Sequence, residues 1–218
     1  MSETVVRCPL CRGEIEHFLH IDTKDYFRCP TCALRFVDPA AWPNPDAEYA
    51  HYLHHENHVD DPGYRRFLSR LAEPLLERVA PGSRGLDYGC GPGPALAAML
   101  REAGHDVAVY DPFFAPDDEP LTRTYDFVTC TEVAEHFHDP AAEFERLVSL
   151  LKPGGVLGVM TCFQTEDARF ANWHYRKDPT HVVFYQMQTI RWIAEKFGFS
   201  VRLPVKDVAI LFRSGMAD

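Results

Sequence analysis

No stretch of this sequence approaches the ~18 consecutive apolar residues that a membrane-crossing helix needs. Its opening, MSETVVRCPLC, carries no apolar core of the kind a secretory leader has. A cytoplasmic protein is the expectation. Cations are also scarce: 22 Lys and Arg stand against 32 Asp and Glu, a formal net charge of −10. Nucleic-acid affinity leans on clustered Lys and Arg, so nucleic acid is not the expected partner. There is no internal repeat of domain size and no low-complexity tract. In a reducing compartment the seven cysteines read as thiols, not as disulfides. At 218 residues, 46% of them hydrophobic, the chain has enough for one good core and a small appendage.

Four of the cysteines stand at the front. CPLC (Cys8, Cys11) and CPTC (Cys29, Cys32) form C-x2-C-x17-C-x2-C, inside the range of a four-thiolate zinc site. One tight turn presents two sulfurs to one ion. A closed tetrahedral sulfur shell leaves no position for water, so the zinc is expected to be structural. The segment between the pairs has strand-like apolar residues and cannot form a core unaided; metal supplies the missing stability. His17 and His20, between the pairs, read as surface residues. Residues 1–40 are thus a small ribbon. Three prolines and scattered polar residues mark 41–63 as a connector. Its His51, His54, His55 and His58 are too loosely spaced to define a metal site and read as exposed or pocket-lining.

From residue 64 the periodicity alternates. YRRFLSRLAEPLLERVA puts its leucines on one helical face. GLDYG is a short buried strand, PALAAMLREAG a helix stopped at Gly104, HDVAVYD a second strand, and YDFVTCT another. PAAEFERLVSLL is an amphipathic helix and VLGVMTC a strand. Such alternation builds a parallel sheet with helices on both faces, its ligand at the carboxyl ends of the strands. After the helix TIRWIAEKFG, FSVRLP and DVAILFRS follow one another directly, so a terminal hairpin must add an antiparallel strand.

GLDYGCGPGP (Gly85 to Pro94) carries the chemistry. A dinucleotide turn requires G-x-G-x-x-G; here Gly89, Gly91 and Gly93 give G-x-G-x-G, and Pro94 stands where the last glycine belongs. Asp87, two residues before the first glycine, repels a pyrophosphate and suits an ammonium group. An amino-acid-bearing cofactor such as S-adenosylmethionine fits this pair of features better than NAD. Asp111, at the end of the second strand, is placed to accept hydrogen bonds from two ribose hydroxyls.

GLDYGCGPG, YDP, YDFVTCTEVAEHFHDP and LKPGGVLGVMT, in this order, resemble the successive motifs of class I S-adenosylmethionine-dependent methyltransferases. The N-terminal segment resembles the zinc-binding segment of some bacterial members. The resemblance covers residues 64–212 and implies a Rossmann-like doubly wound α/β sheet, mostly parallel, with an antiparallel terminal hairpin strand. It implies that Asp87, Tyr88, Gly89, Cys90, Gly91 and Gly93 hold the methionine part, Asp111 the ribose, and that Pro112 and Phe113 lie near the adenine. Thr131 and Glu132 would border the methionine. The chain departs from the pattern between Asp111 and Tyr125, where PFFAPDDEPLTR leaves little room for the usual third strand; Asp117 and Asp118 are further adenine candidates there.

Methyl transfer from a sulfonium is an in-line displacement, for which positioning suffices unless the acceptor must lose a proton. Two regions offer a base. His136 lies in EVAEHFHDP at the expected mouth. The insert FQTEDARFANWHYRKDPTHVVFY, within a substrate-capping stretch at 163–187 of the 64–218 domain, offers His181, with Tyr175 and His174 behind it. Cys90, Cys130 and Cys162 have no evident base partner and read as packing residues. The expected function is methyl transfer to a small organic acceptor. An RNA methyltransferase gripping RNA through the ribbon, and a non-catalytic cofactor-binding interaction protein, are the alternatives.

Overall fold

The computed structural model of the chain describes residues 7–54 and 58–214. Two sheets organise them. In the ribbon, β1 (Glu16–Ile21), β2 (Lys24–Arg28) and β3 (Arg35–Val37) form an antiparallel meander. The loops before β1 and β3 carry the cysteine pairs, and both turn alike. The residue after each second cysteine is left-handed, Arg12 at φ 61° and Ala33 at φ 60°. In the first loop the N–H groups of Cys11 and Gly13 point at the Sγ atoms of Cys8 and Cys11.

The result gathers all four Sγ atoms within 4.8 Å of one another. The closest pairs, Cys8–Cys32 at 3.5 Å and Cys11–Cys29 at 3.3 Å, are far outside the ~2.05 Å of a disulfide. Four soft sulfurs around one point, with N–H groups supporting them, fit a structural zinc ion. The expected ribbon is therefore present, and so is the donor set that stabilises it.

Residues 41–63 are more than a linker. Asn44 caps Ala47 N–H and Pro45 takes the first helical position, where its missing N–H costs nothing. The helix α1 (Pro45–Tyr52) follows. It lacks the apolar stripe of a core helix, which is why periodicity does not reveal it. A longer helix, α2 (Pro62–Leu76), is capped by Asp61 and buries Leu68, Leu71, Ala72 and Leu75.

The second sheet has six strands in the order β5-β4-β6-β7-β10-β9. These are β4 (Arg84–Tyr88), β5 (Asp106–Tyr110), β6 (Tyr125–Thr131), β7 (Leu151–Met160), β9 (Phe199–Arg202) and β10 (Val208–Arg213). The first four run parallel, and β10 is antiparallel to both β7 and β9. The intervening helices are α3 (Ala95–Glu102), α4 (Pro140–Ser149) and α6 (Met187–Phe197). Alternation on β6 serves two cores. Phe127 faces α2 and α3, whereas Val128 and Cys130 face α4 and α6. Gly85 permits that first packing: a Cβ there would stand 2.1 Å from the Phe127 ring. The third-strand region is shortened as expected. Asp111 and Ala115 close a tight loop with paired backbone bonds, and Glu119–Thr122 is a single 3-10 turn.

The remaining elements, α5 (Asp167–Phe170) and β8 (Val183–Phe184), belong to the insert. β8 does not join the large sheet; it pairs antiparallel with β3, so the ribbon sheet has four strands, β1-β2-β3-β8. Tyr26, Val37, Phe170, Tyr175 and Phe184 form a small aromatic core between ribbon and insert. The Arg12 guanidinium reaches Asp139, the N-cap of α4, at 2.6 Å. No helix among the described residues is long and apolar enough to cross a membrane.

Two outcomes follow. Stripping zinc with a chelator should raise amide hydrogen exchange at Val37 and Val182–Phe184 at least tenfold before β6 and β7 respond; uniform exchange would show the shared sheet to be independent of the metal. Gly85→Ala should lower stability by about 1–3 kcal/mol through overpacking against Phe127, read as a fall in Tm.

Candidate active site

A cavity of about 770 Å³ opens at the carboxyl ends of β4, β5 and β6. That is where a doubly wound sheet leaves room for a ligand, and the volume suits one of drug size. One wall is the glycine turn. Gly89 adopts φ 78° and Gly91 φ 64°, and the N–H groups of Gly89 and Cys90 donate to Tyr110 O at 2.8 and 3.1 Å. A Cβ on Gly89 would lie 2.3 Å from Val133; glycine is required there twice over. Tyr88, Gly89, Cys90 and Gly91 border the cavity, as do Asp111, Pro112, Phe113, Thr131 and Glu132. Gly93 does not: its carbonyl instead accepts from Ala95 N–H at the start of α3.

Asp87 stands behind the glycine turn. Its carboxylate is buried beneath the turn, not on the cavity wall, and accepts from Thr129 Oγ1 at 2.8 Å. Burial pushes its pKa up to about 6, against the hydrogen bond from Thr129. In that position it braces the β4–β6 pair. Asp111 is at the wall, but main chain occupies much of it. Oδ2 accepts from Gly91 N–H at 2.9 Å, and Oδ1 from Phe113 and Phe114 N–H at 2.9 and 3.0 Å. A carboxylate offers about four acceptor sites, so room for one ribose hydroxyl is left where two were expected. Asp117 and Asp118 are exposed and away from the wall; Asp117 caps Glu119 N–H.

Phe113 meets α1. Tyr49 stacks on it with centroids 5.8 Å apart, and Tyr52 meets it edge-on at 5.4 Å. Glu48 and Tyr52, one helical turn apart, face the cavity. Sequence reasoning missed both; their i, i+4 spacing is the signal that was there. His51 of the same helix holds Asp178 Oδ2 at 3.2 Å, while His54 and His58 are exposed and His55 lies outside the described residues.

At the end of β6 the polar groups concentrate. Thr131 Oγ1 is buried with no hydrogen-bond partner. Glu132 is held at φ 51°, a strained backbone for a non-glycine residue. Burial, with Glu135 nearby, pushes its pKa up to about 9. Glu135 is fully buried, accepting from Thr161 Oγ1 at 2.8 Å and from the Tyr175 hydroxyl.

His136 and His181 do come together, ring centroids 4.8 Å apart, both on the cavity wall. The Nδ1 of His136 donates to Thr180 O at 3.0 Å, and that of His181 to Tyr175 O at 2.7 Å. A carbonyl only accepts, so Nδ1 carries a proton in both rings, and in the neutral form of each ring Nε2 carries the lone pair. Burial lowers the His181 pKa, keeping the ring neutral. Tyr175 lies behind the wall. Its hydroxyl turns away from the cavity and donates to Glu135, and burial pushes its pKa well above the usual value. His174 is exposed.

The raised Asp87 pKa sets a sign. The folded state binds the proton more tightly than the unfolded state, so stability from this group is lost as pH rises from about 4 through 6. Asp87→Asn removes that slope while keeping an acceptor for Thr129. Its stability relative to the parent should climb over that interval, by up to about 3 kcal/mol; chemical denaturation at pH 4 and pH 7 measures it, and a pH-independent difference would refute it.

Comparison with known proteins agrees with this architecture. A family model described as a methyltransferase domain matches residues 49–203. A ubiquinone biosynthesis O-methyltransferase from Xanthomonas campestris is 36% identical, over 43% of this chain and 49% of the relative; the chain spans about half the length of the curated relatives it matches. Among solved structures, an S-adenosylmethionine-dependent methyltransferase from Archaeoglobus fulgidus superposes with TM-score 0.52, at 18% identity, covering 68% of this chain and 94% of that one. An O-methyltransferase family protein from Burkholderia thailandensis gives TM-score 0.50 at 16% identity, covering 78% and 64%. At such identities the superpositions speak for the fold alone; with the family match, they establish that the chain belongs to the class I S-adenosylmethionine-dependent methyltransferases.

Proposed function

We propose that the chain transfers the methyl group of S-adenosylmethionine to a hydroxyl oxygen of a small organic acceptor bound in the 770 Å³ cavity. The observation that carries this is the meeting of two walls in one cavity: the glycine turn with Asp111 on one side, and the paired imidazoles of His136 and His181 on the other. The naming of its relatives as O-methyltransferases supports oxygen as the acceptor atom.

The cofactor fits the residues present. Thr131 Oγ1 is a buried polar atom awaiting a partner, and Asp111 has acceptor capacity left for one hydroxyl. When bound, S-adenosylmethionine supplies a methyl group made electrophilic by the adjoining sulfonium. In this reading Tyr88, Gly89, Cys90 and Gly91 border its methionine part together with Thr131 and Glu132. Asp111 takes a ribose hydroxyl, and Pro112 and Phe113 border the adenine under the cover of Tyr49 and Tyr52. Cys90 stays a neutral thiol, its pKa pushed up to about 12 by burial and by Asp87 and Asp111. One imidazole Nε2 would accept the acceptor hydroxyl's proton, so that the O–H bond breaks as the oxygen becomes the nucleophile. Tyr175 holds both Glu135 and the His181 ring in place without touching the cavity.

The organisation follows the same reading. Residues 1–40 are a metal-stabilised ribbon, 41–63 cover the adenosine end, 64–218 form the catalytic domain, and 163–187 cap the acceptor. A cytoplasmic small-molecule enzyme, not a nucleic-acid enzyme, agrees with the −10 charge.

Calorimetry with S-adenosylhomocysteine is the direct check. One site per chain is expected, weakened at least tenfold by Asp111→Ala, because that change removes both the ribose acceptor and the clamp on Gly91. Absence of binding by the parent protein would sink the reading.

A further inference from the structure

We propose that Glu135, His136 and His181 bind a divalent cation of the zinc type, a second metal centre distinct from the four cysteines and open to the acceptor cavity. One carboxylate oxygen and one nitrogen from each ring lie within 4.8 Å of one another. Two imidazoles and a carboxylate are a donor set for a catalytic zinc that keeps a coordination position for an exogenous oxygen. All three residues border the cavity, so the open position faces the acceptor.

What lies behind the three donors is the stronger argument. Metal-binding imidazoles donate their other N–H to a carbonyl or carboxylate, which fixes the tautomer and aims the lone pair. Here both do so, to Thr180 O and to Tyr175 O. Metal-binding carboxylates are in turn held by hydrogen-bond donors, and Glu135 is held by Thr161 Oγ1 and the Tyr175 hydroxyl. Tyr175 therefore orients two of the three donors, one through its hydroxyl and one through its carbonyl. A general base would need one oriented ring; this arrangement orients two rings and a fully buried carboxylate toward one point. Asp178 Oδ2 lies 3.9 Å from His181 Nε2 and adds an anionic oxygen beside the three donors.

The inference rests on the methyl-transfer reading and refines it. A bound cation lowers the pKa of a hydroxyl on its open position. With both imidazoles bound to the cation, neither takes the hydroxyl proton, which leaves to solvent instead. The oxygen lone pair then forms the C–O bond as the S–CH3 bond breaks, its electron pair remaining on sulfur as the neutral thioether.

The test is metal stoichiometry on untagged full-length protein, equilibrated with zinc chloride, exchanged into metal-free buffer and analysed by elemental mass spectrometry. Two zinc ions per chain are expected, falling to one in His136→Ala/His181→Ala and remaining two in the exposed control His174→Ala. A single ion in the parent protein overturns the proposal regardless of how the variants fold, as does a double variant that retains two. Calorimetry with S-adenosylhomocysteine on the same samples separates the two readings: a second zinc without cofactor binding removes methyl transfer and leaves the metal site, and the converse removes the site alone.

Discussion

Val182 is the hinge pin of this molecule. Its carbonyl accepts from Val37 N–H on the last ribbon strand, and its own N–H donates to Glu135 O in the turn after β6, both at 2.9 Å. One residue thus ties a metal-stabilised ribbon to the end of the central sheet strand. His181 precedes it directly, so its place beside His136 is set by two backbone bonds that neither histidine makes. The pairing of β8 with β3 is only two residues long. So short a strand has no independent stability; the aromatic core of Tyr26, Phe170 and Phe184 and the four-cysteine cluster before and after the ribbon hairpin supply it. The ribbon thereby governs the geometry of a cavity it does not line.

Electrostatics explain why that rigidity matters. Glu135 is fully buried and Glu132 half-buried near the Tyr175 hydroxyl, and no Lys or Arg forms an ion pair with either among the described residues. Two carboxylates in a dry site cannot both ionise without a cation or a set of fixed donors. Tyr175 and Thr161 serve Glu135, whereas the raised pKa of Glu132 reflects the shortage. A site with this deficit favours ligands that bring positive charge: a sulfonium on one side and, as proposed, a divalent cation on the other.

Much of the fold was legible because it is written locally. Alternation on β6, the stripe of α2 and the cysteine spacing are each decided by neighbours a few residues apart. The glycine register and Asp111 were legible for the same reason, since a turn and a strand end fix them. What escaped depends on distant contacts. Asp87 reads as a ligand contact from its place before the glycines, yet parallel pairing of β4 with β6 sets it against Thr129, inside the sheet. Tyr175 reads as a pocket aromatic, but the pull of Glu135 turns its hydroxyl inward. α1 carries no core-facing stripe because its partner is a cavity rim, and a rim asks for mixed residues. That β8 would join the ribbon could not be read from two residues, VF.

The shortened third-strand region and α1 are two halves of one arrangement. In a sheet that ends at β5, the loop after Asp111 has no neighbouring strand to lean on, and its aromatic residues Phe113 and Phe114 would face solvent. Tyr49 and Tyr52 cover Phe113, while Asp111 holds both phenylalanine N–H groups and closes the loop on Ala115. The helix thus covers the loop that follows the edge strand β5. Because Tyr52 also meets His136 edge-on at 5.3 Å, the cover over Phe113 and the imidazole pair share a side chain. A group that moved Tyr52 off Phe113 would disturb His136 as well, so the two ends of the cavity are joined through one ring.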